Sequence, residues 1–217
     1  YKSQEGNHEI LRQLRREVLD QYDCFTVGET VMVDLTEARE LCEPERRELD
    51  MVFYFDHLEV DRRVSRYIGK RFKAKKLLDV YTKWQQGLSW NALYLENHDQ
   101  PRIVSHYGND SDTYRERSAK LLCTMQFTLR GTPYLYQGQE LGMTNFDFTN
   151  MAQLKDVESF NIDRLMKGKH IPKWLRWKWI RQASRDNART PMQWSAAPGA
   201  GFTSGEPWIG INHNYIT

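Results

Sequence analysis

Long apolar runs are missing from this sequence. No stretch approaches the roughly 18 residues of a membrane-spanning helix, and nothing of signal-peptide type opens the chain. Cysteine is scarce as well. The three present, Cys24, Cys42 and Cys123, are an odd number without paired metal spacing, which argues against a disulfide framework. Reduced thiols, two of them in apolar strand or helix contexts and so buried, and a cytoplasmic setting are the expectation. An excess of one charge sign is also lacking: 31 Lys and Arg face 29 Asp and Glu among 217 residues, a net of +2. With 40% apolar residues this is the composition of a globular domain, not of a disordered or membrane chain. One local exception, residues 62–76, carries eight basic residues in fifteen and no acid. Nucleic acid or a phosphorylated sugar can be held by such a run. In a chain of so small a net charge it reads instead as a solvated loop and helix start, with no nucleic-acid or membrane partner.

What is present alternates. Residues 8–22 carry Ile10, Leu11, Leu14, Val18 and Leu19 on a helical stripe and lead into an apolar run that ends at Gly28-Glu29. Asp34 caps a short helix over 37–42 that must stop before Pro44. Met51-Val52-Phe53-Tyr54-Phe55 is a strand ending in Asp56-His57. Residues 73–86, with Leu77, Leu78, Tyr81 and Trp84 on one face, form a helix terminated by Gly87. Asn91-Ala92-Leu93-Tyr94 is a buried strand, residues 113–130 a helix capped by Asp112 and closed by Gly131, and the run from Gly131 to Glu140 a further strand. Strand and helix in regular alternation imply a parallel sheet in an α/β fold. From Met143 onward the alternation is lost in a stretch rich in Trp, Arg, Pro and Gly, without a repeat.

Three of these strands end in polar groups. The densest set, Leu95-Glu96-Asn97-His98-Asp99-Gln100-Pro101-Arg102, delivers carboxylate, imidazole, amide and guanidinium together, where (β/α) barrels keep their chemistry. Taken alone it also fits a polar loop that caps a strand. With Gly28-Glu29, with Gly131-Thr132-Pro133-Tyr134-Leu135-Tyr136-Gln137-Gly138, and with Arg185-Asp186-Asn187-Ala188-Arg189-Thr190-Pro191-Met192-Gln193-Trp194, it gives four ordered motifs. In that order they resemble glycoside hydrolase family 13, the α-amylase family, in its oligo-1,6-glucosidase and α-glucosidase branch.

That resemblance implies the C-terminal half, strands five to eight, of a TIM (β/α)8 barrel. Residues 1–142 would be the half-barrel, and 143–217 a loop-rich excursion after strand eight covering the active site. A complete barrel takes about 250 residues, so a fragment of a longer enzyme is expected. The family's Asp-Gly-Phe-Arg type motif, which supplies the nucleophile, has no counterpart in the sequence. The missing N-terminal barrel half is then a partner, and the fragment alone should be inert. The resemblance places family calcium in an early loop outside this sequence, so no metal or cofactor is assigned.

Glycosidic cleavage passes through an oxocarbenium-like state and needs an acid to protonate the leaving oxygen and a carboxylate on the other face. The resemblance makes Glu29 the acid/base; burial and neighbouring acids would raise its carboxyl toward working pH. Asp99 is the third family acid, holding sugar hydroxyls of the distorted ring, with His98 beside it, and Glu29 and Asp99 are expected to converge on one glucose. Arg185 and Arg189 resemble the pair closing the glucose pocket, Arg185 being the stronger choice; bracing of Asp186 or of rim acids is the alternative for both. Gln100 and Arg102 border the leaving-group side or, for Arg102, anchor the loop; His57 is a secondary loop contact.

The implied activity is that of a retaining, exo-acting α-glucosidase on neutral α-linked oligosaccharides, α-1,6 more than α-1,4. Two alternatives stand beside it. Trehalose-6-phosphate hydrolases share the four motifs, but there the segment after strand six reads His-His-Leu-Lys-Val-Asp; here Glu59 stands in Asp56-His57-Leu58-Glu59-Val60-Asp61 and would repel phosphate. A non-catalytic barrel relative, such as a transporter-associated domain, is disfavoured because Glu29, His98, Asp99 and Arg185 all remain.

Overall fold

The computed structural model describes residues 4–216. In chain order the regular elements are α1 (Glu5–Glu17), β1 (Val27–Glu29), α2 (Leu35–Cys42), β2 (Met51–Phe53), β3 (Arg62–Ser65), β4 (Ile68–Gly69) and α3 (Ala74–Gly87). They continue with β5 (Ala92–Leu93), α4 (Ile103–His106), α5 (Arg115–Thr128), β6 (Thr132–Pro133), α6 (Val157–Gly168) and α7 (Lys173–Ala183). The residues fall into two compact units, one of Tyr1–Asp61, Arg71–Tyr94 and Gln126–Tyr134, the other of Arg62–Lys70, Leu95–Met125 and Leu135–Thr217.

The first unit holds the parallel strands. β1 pairs with β2 in the register Val27↔Met51 to Glu29↔Phe53, and β5 with β6 in the register Ala92↔Thr132 and Leu93↔Pro133. β2 lies against β5, and Phe53 joins the pairs through edge-on rings, 5.0 Å from Tyr94 and 4.8 Å from Tyr134. Such edge-to-face aromatic pairs add about 0.5–1.5 kcal/mol each beyond the area they bury. Behind the strands α2 and α3 pack on a core centred on Trp84. Its indole stacks on Tyr54 at 4.0 Å and donates to Asp56 Oδ2 at 2.9 Å, a carboxylate that Lys83 also reaches. Asp56, at the end of its strand, is thereby spent on structure.

Two local signals translate directly. Asp34 accepts the Glu37 amide at 2.9 Å while the Glu37 carboxylate accepts the Asp34 amide, a reciprocal cap that starts α2. Gly87 is the last residue of α3, which ends there as expected, with Leu88 as its cap. The role of Gly87 is close approach: a Cβ there would sit 2.3 Å from Leu35 Cδ2.

The stripe on α1 is a correction. His8 is its only buried residue, whereas Ile10 and Leu14 are 64% and 42% exposed. Ionic contacts hold the helix instead. Glu48, itself buried, accepts from His8 Nδ1 at 2.6 Å and from Arg12 and Arg46 at 2.9 and 3.1 Å. Of the thiols, Cys42 alone is buried; burial first, and the Glu43 charge second, push it up to about 12. Cys24 is exposed, contrary to its apolar strand context.

His57 is fully enclosed by the rings of Tyr54, Tyr81 and Tyr94, at 5.4, 5.8 and 4.6 Å. Burial pushes its pKa down to about 3, and the Tyr94 main chain and the Asp56 charge offset only part of that. The unfolded ring takes a proton near 6.5 and the folded ring only near 3, so stability is complete above pH 6.5 and declines as pH falls below it. From pH 6.5 to 5 this group should cost about 2 kcal/mol. Urea unfolding across that range should show the slope, and His57→Phe should remove it; an equal slope in the variant would contradict the assignment.

The second unit is built on α6 and α7, which pack against each other around Tyr67, Phe148, Leu154, Met166 and Ile180. These two helices lie within the stretch expected to be irregular. An antiparallel hairpin of β3 and β4, Arg62↔Gly69 and Ser65↔Ile68, occupies the basic segment expected to be a loop. Tyr67 at its turn is buried in that core and anchors it. Among the described residues no helix is long and apolar enough to cross a membrane.

Candidate active site

In the chain β5 runs directly into Leu95-Glu96-Asn97-His98-Asp99, and this loop is held from below and from the side. Below, Glu96 and Arg102 form a fully buried ion pair at 3.0 Å, and the second oxygen of Glu96 accepts the Ile103 amide at 2.6 Å, starting α4. Arg102 also donates to the Gln137 carbonyl at 2.8 Å and lies over the Tyr136 ring at 5.1 Å. Gly138, at φ 91°, is required here: a Cβ would fall 2.3 Å from Met143 Sδ and 3.2 Å from Arg102 Nη1. Burial raises the Glu96 carboxyl, and Arg102 and the Ile103 amide counter it only in part. Arg102 is therefore the loop's anchor, the second of its two expected roles.

Above this base Asn97 Oδ1 accepts the Asp99 amide at 2.8 Å and the Asn97 carbonyl accepts the Gln100 amide at 3.2 Å, a tight turn that presents Asp99. The Asp99 carboxylate meets two guanidiniums on one oxygen: Arg189 Nη2 donates to Oδ1 at 2.7 Å, and Arg185 Nη1 stands 3.5 Å from the same atom. Arg189 Nε also donates to the His98 carbonyl at 3.0 Å. The other oxygen lies 3.8 Å from His98 Nε2, beyond hydrogen-bond reach. The Asp99 and His98 side chains remain 34% and 59% exposed, so both offer polar atoms to an incoming molecule.

Arg185 is gripped from behind. Asp156 takes it with both oxygens, at 2.5 and 3.1 Å, and Glu158 stands 3.3 Å from its Nε. Burial alone would raise the Asp156 carboxyl; the Arg185 bonds, the Glu158 amide and the charges of Arg185 and Arg189 outweigh it and hold it below the ordinary value. The same bonds, led by the one to Asp156, raise Arg185, which is always protonated. Asp186, fully buried, accepts the amides of Lys155 and Asp156 at 2.6 and 2.9 Å and so fixes the start of α6. Arg66, from the hairpin turn, donates to the Asp99 carbonyl at 2.8 Å and pairs with Glu158.

The expected residues thus separate. Asp99, His98, Arg185 and Arg189 come together, with Arg189 on Asp99 and Arg185 mainly on Asp156. Gln100 follows them in the turn but is only 6% exposed. His57 is enclosed by aromatic rings, not presented on a loop. Glu29, in the other unit, ends β1 and lines an open cleft of about 580 Å³ with Asn7, His8, Thr30, Val31 and Leu49. It is exposed, not buried as the acid/base argument supposed: it is the last residue of a three-residue strand, paired with Phe53 at the strand's end. Arg66, Asp156 and Glu158 were missed. Asp156 carried a signal, an acid followed two residues on by Glu158 at the start of a helix, whereas Arg66 was hidden in a uniformly basic run. Among the described residues no group of three or more His, Cys, Asp or Glu could hold a metal ion.

Three guanidiniums and three carboxylates, Arg66, Arg185, Arg189, Asp99, Asp156 and Glu158, balance at this site. Fixed dipoles and paired charges of this kind suit hydroxyl groups, with no net attraction for an anion. Parallel strands crossed over by helices, with polar groups clustered in a strand-end loop, define a β/α enzyme-type architecture. Comparison with known proteins narrows this: the chain belongs to the family described as alpha amylase, catalytic domain, which matches residues 1–217. It is 45% identical over 214 residues to an oligo-1,6-glucosidase of Parageobacillus thermoglucosidasius, aligning 96% of this chain with 38% of that protein. Among solved structures it is similar to Bacillus licheniformis trehalose-6-phosphate hydrolase, at 44% identity and TM-score 0.89, again 96% of this chain and 38% of the other. Isomaltulose synthase of Erwinia rhapontici NX5, solved as the E295A mutant with D-glucose, matches at 41% identity and TM-score 0.90 over the same shares. The chain therefore spans about 38% of the length of these relatives.

Proposed function

We propose that this chain supplies strands five to eight of a cytoplasmic, retaining, exo-acting α-glucosidase, with residues 1–142 as barrel half and 143–217 as the excursion over the site. Its substrates are short neutral oligosaccharides with a terminal α-glucosidic bond, α-1,6 more than α-1,4. Glu29 protonates the leaving oxygen and later activates water. Asp99, oriented by Arg189 and Arg185, accepts sugar hydroxyls as the ring flattens toward the oxocarbenium state, with His98 as a second contact. Gln100, buried in the same turn, supports these contacts. The nucleophilic aspartate comes from the other barrel half, so the chain alone does not turn over.

The observation that carries this reading is the Asp99 carboxylate, fixed through one oxygen by Arg189 at 2.7 Å and open to solvent beside His98. Trehalose-6-phosphate hydrolysis is the second reading, favoured by the 44% identity to that enzyme. The charge balance around Asp99 and the acid at Glu59 favour a neutral sugar. A test is to join this chain to the N-terminal portion of the Parageobacillus thermoglucosidasius oligo-1,6-glucosidase and assay glucose release. The joined enzyme should hydrolyse isomaltose faster than maltose and trehalose 6-phosphate slowest. Preference for trehalose 6-phosphate would establish the second reading, and no turnover of any α-glucoside a binding role.

A further inference from the structure

Arg66, within the basic run, folds onto the Asp99 loop. The hairpin turn puts it there, with the neighbouring Tyr67 buried in the core of the same unit as a fixed pivot. Its guanidinium is divided among three acceptors: Nη1 donates to the Asp99 carbonyl at 2.8 Å, and Nη2 pairs with Glu158 and approaches the Tyr67 hydroxyl at 3.4 Å. Glu158 in turn stands 3.3 Å from Arg185 Nε, and Arg185 Nη1 stands 3.5 Å from Asp99 Oδ1. The contacts close a ring: Arg66, the Asp99 main chain, the Asp99 carboxylate, Arg185, Glu158, and Arg66 again.

We propose that Arg66 is a positioning residue for Asp99, fixing the peptide behind the carboxylate directly and the guanidinium in front of it through Glu158. This deepens the glucosidase reading and rests on it. Arg66 touches neither sugar nor reacting atoms. It sets the direction in which Asp99 meets the ring, and a planar fork serves this where a lysine, a single point charge, reaches one acceptor at a time. A misdirected carboxylate loses most in the transition state, where its bonds to the distorted ring tighten.

Two readouts test this. In the chain itself, Arg66→Ala should speed hydrogen exchange at the Asp99 and Gln100 amides, which close the turn on Asn97, at least about tenfold, while amides of α2 stay unchanged. In the joined enzyme Arg66→Ala should lower kcat about 10- to 100-fold with KM moved less than about threefold. Arg66→Lys should recover part of kcat, and Glu158→Gln added to Arg66→Ala should cost little more, since both break one ring. Unchanged exchange overturns the proposal, and so does faster exchange with kcat intact or with only KM altered. If the unaltered joined enzyme cleaves no α-glucoside, the glucosidase reading fails, while the exchange measurement still decides whether Arg66 holds the Asp99 turn.

Discussion

Asp99→Asn in the joined enzyme is expected to lower kcat for isomaltose by about 10²–10³-fold, the usual scale for removing one preorganised electrostatic contact with the transition state. The substitution keeps the shape of the side chain and removes its charge. Arg189 Nη2, now 2.7 Å from a carboxylate oxygen, would face a neutral amide, and positive charge developing on the ring would lose its partner. Because Asp99 is partly exposed and the turn is closed by Asn97, the fold should survive, with an unchanged unfolding midpoint. KM should move far less than kcat if the contact is made mainly in the transition state. Equal turnover by the variant would remove Asp99 from the mechanism.

Arg102→Met should destabilise the protein by about 3–5 kcal/mol at neutral pH, the cost of leaving a buried charge without its partner. Glu96 and Arg102 are both fully enclosed, and the guanidinium also satisfies the Gln137 carbonyl. Without the cation, Glu96 can be accommodated only by taking up a proton, and burial already raises its carboxyl. A group raised in the folded state gives its stabilisation below its unfolded pKa and loses it as pH rises through the folded one. The variant should therefore be less impaired at pH 5 than at pH 8. Adding Glu96→Gln should recover much of the loss, because the charge left behind is gone. Urea unfolding at the two pH values measures both effects; a loss independent of pH and unrelieved by Glu96→Gln would contradict the account.

What could be read from the chain follows from how local each signal is. The α2 cap was legible because Asp34 and Glu37 are three residues apart and their bonds are reciprocal. The strand-end loop was legible because four kinds of polar side chain crowd into eight residues after an apolar run. Helices α6 and α7 were not: α6 buries only Ser159 and Met166, and α7 only Ile180 and Ala183, so neither shows a clear apolar stripe among its charged and tryptophan residues. The helix over residues 8–22 shows the reverse failure, since its stripe is real but Ile10 and Leu14 face outward here. Pairings over long separations leave no trace in a window of sequence. Arg66 with Glu158, 92 residues apart, and Arg185 with Asp156, 29 apart, needed the fold to bring them together. Arg185 and Arg189 were recognised as a pair, yet only the structure assigns one to Asp156 and the other to Asp99.

Glu29→Ala in the joined enzyme tests the acid/base role proposed for Glu29. Isomaltose, whose leaving oxygen needs a proton, should lose about 10²–10⁴-fold in kcat/KM, whereas an aryl α-glucoside with a strongly acidic phenol should lose far less in its first step. Added azide, which needs no general base to attack the glucosyl-enzyme, should accelerate turnover of the aryl substrate and release α-glucosyl azide. Equal losses for both substrates, with no effect of azide, would contradict it.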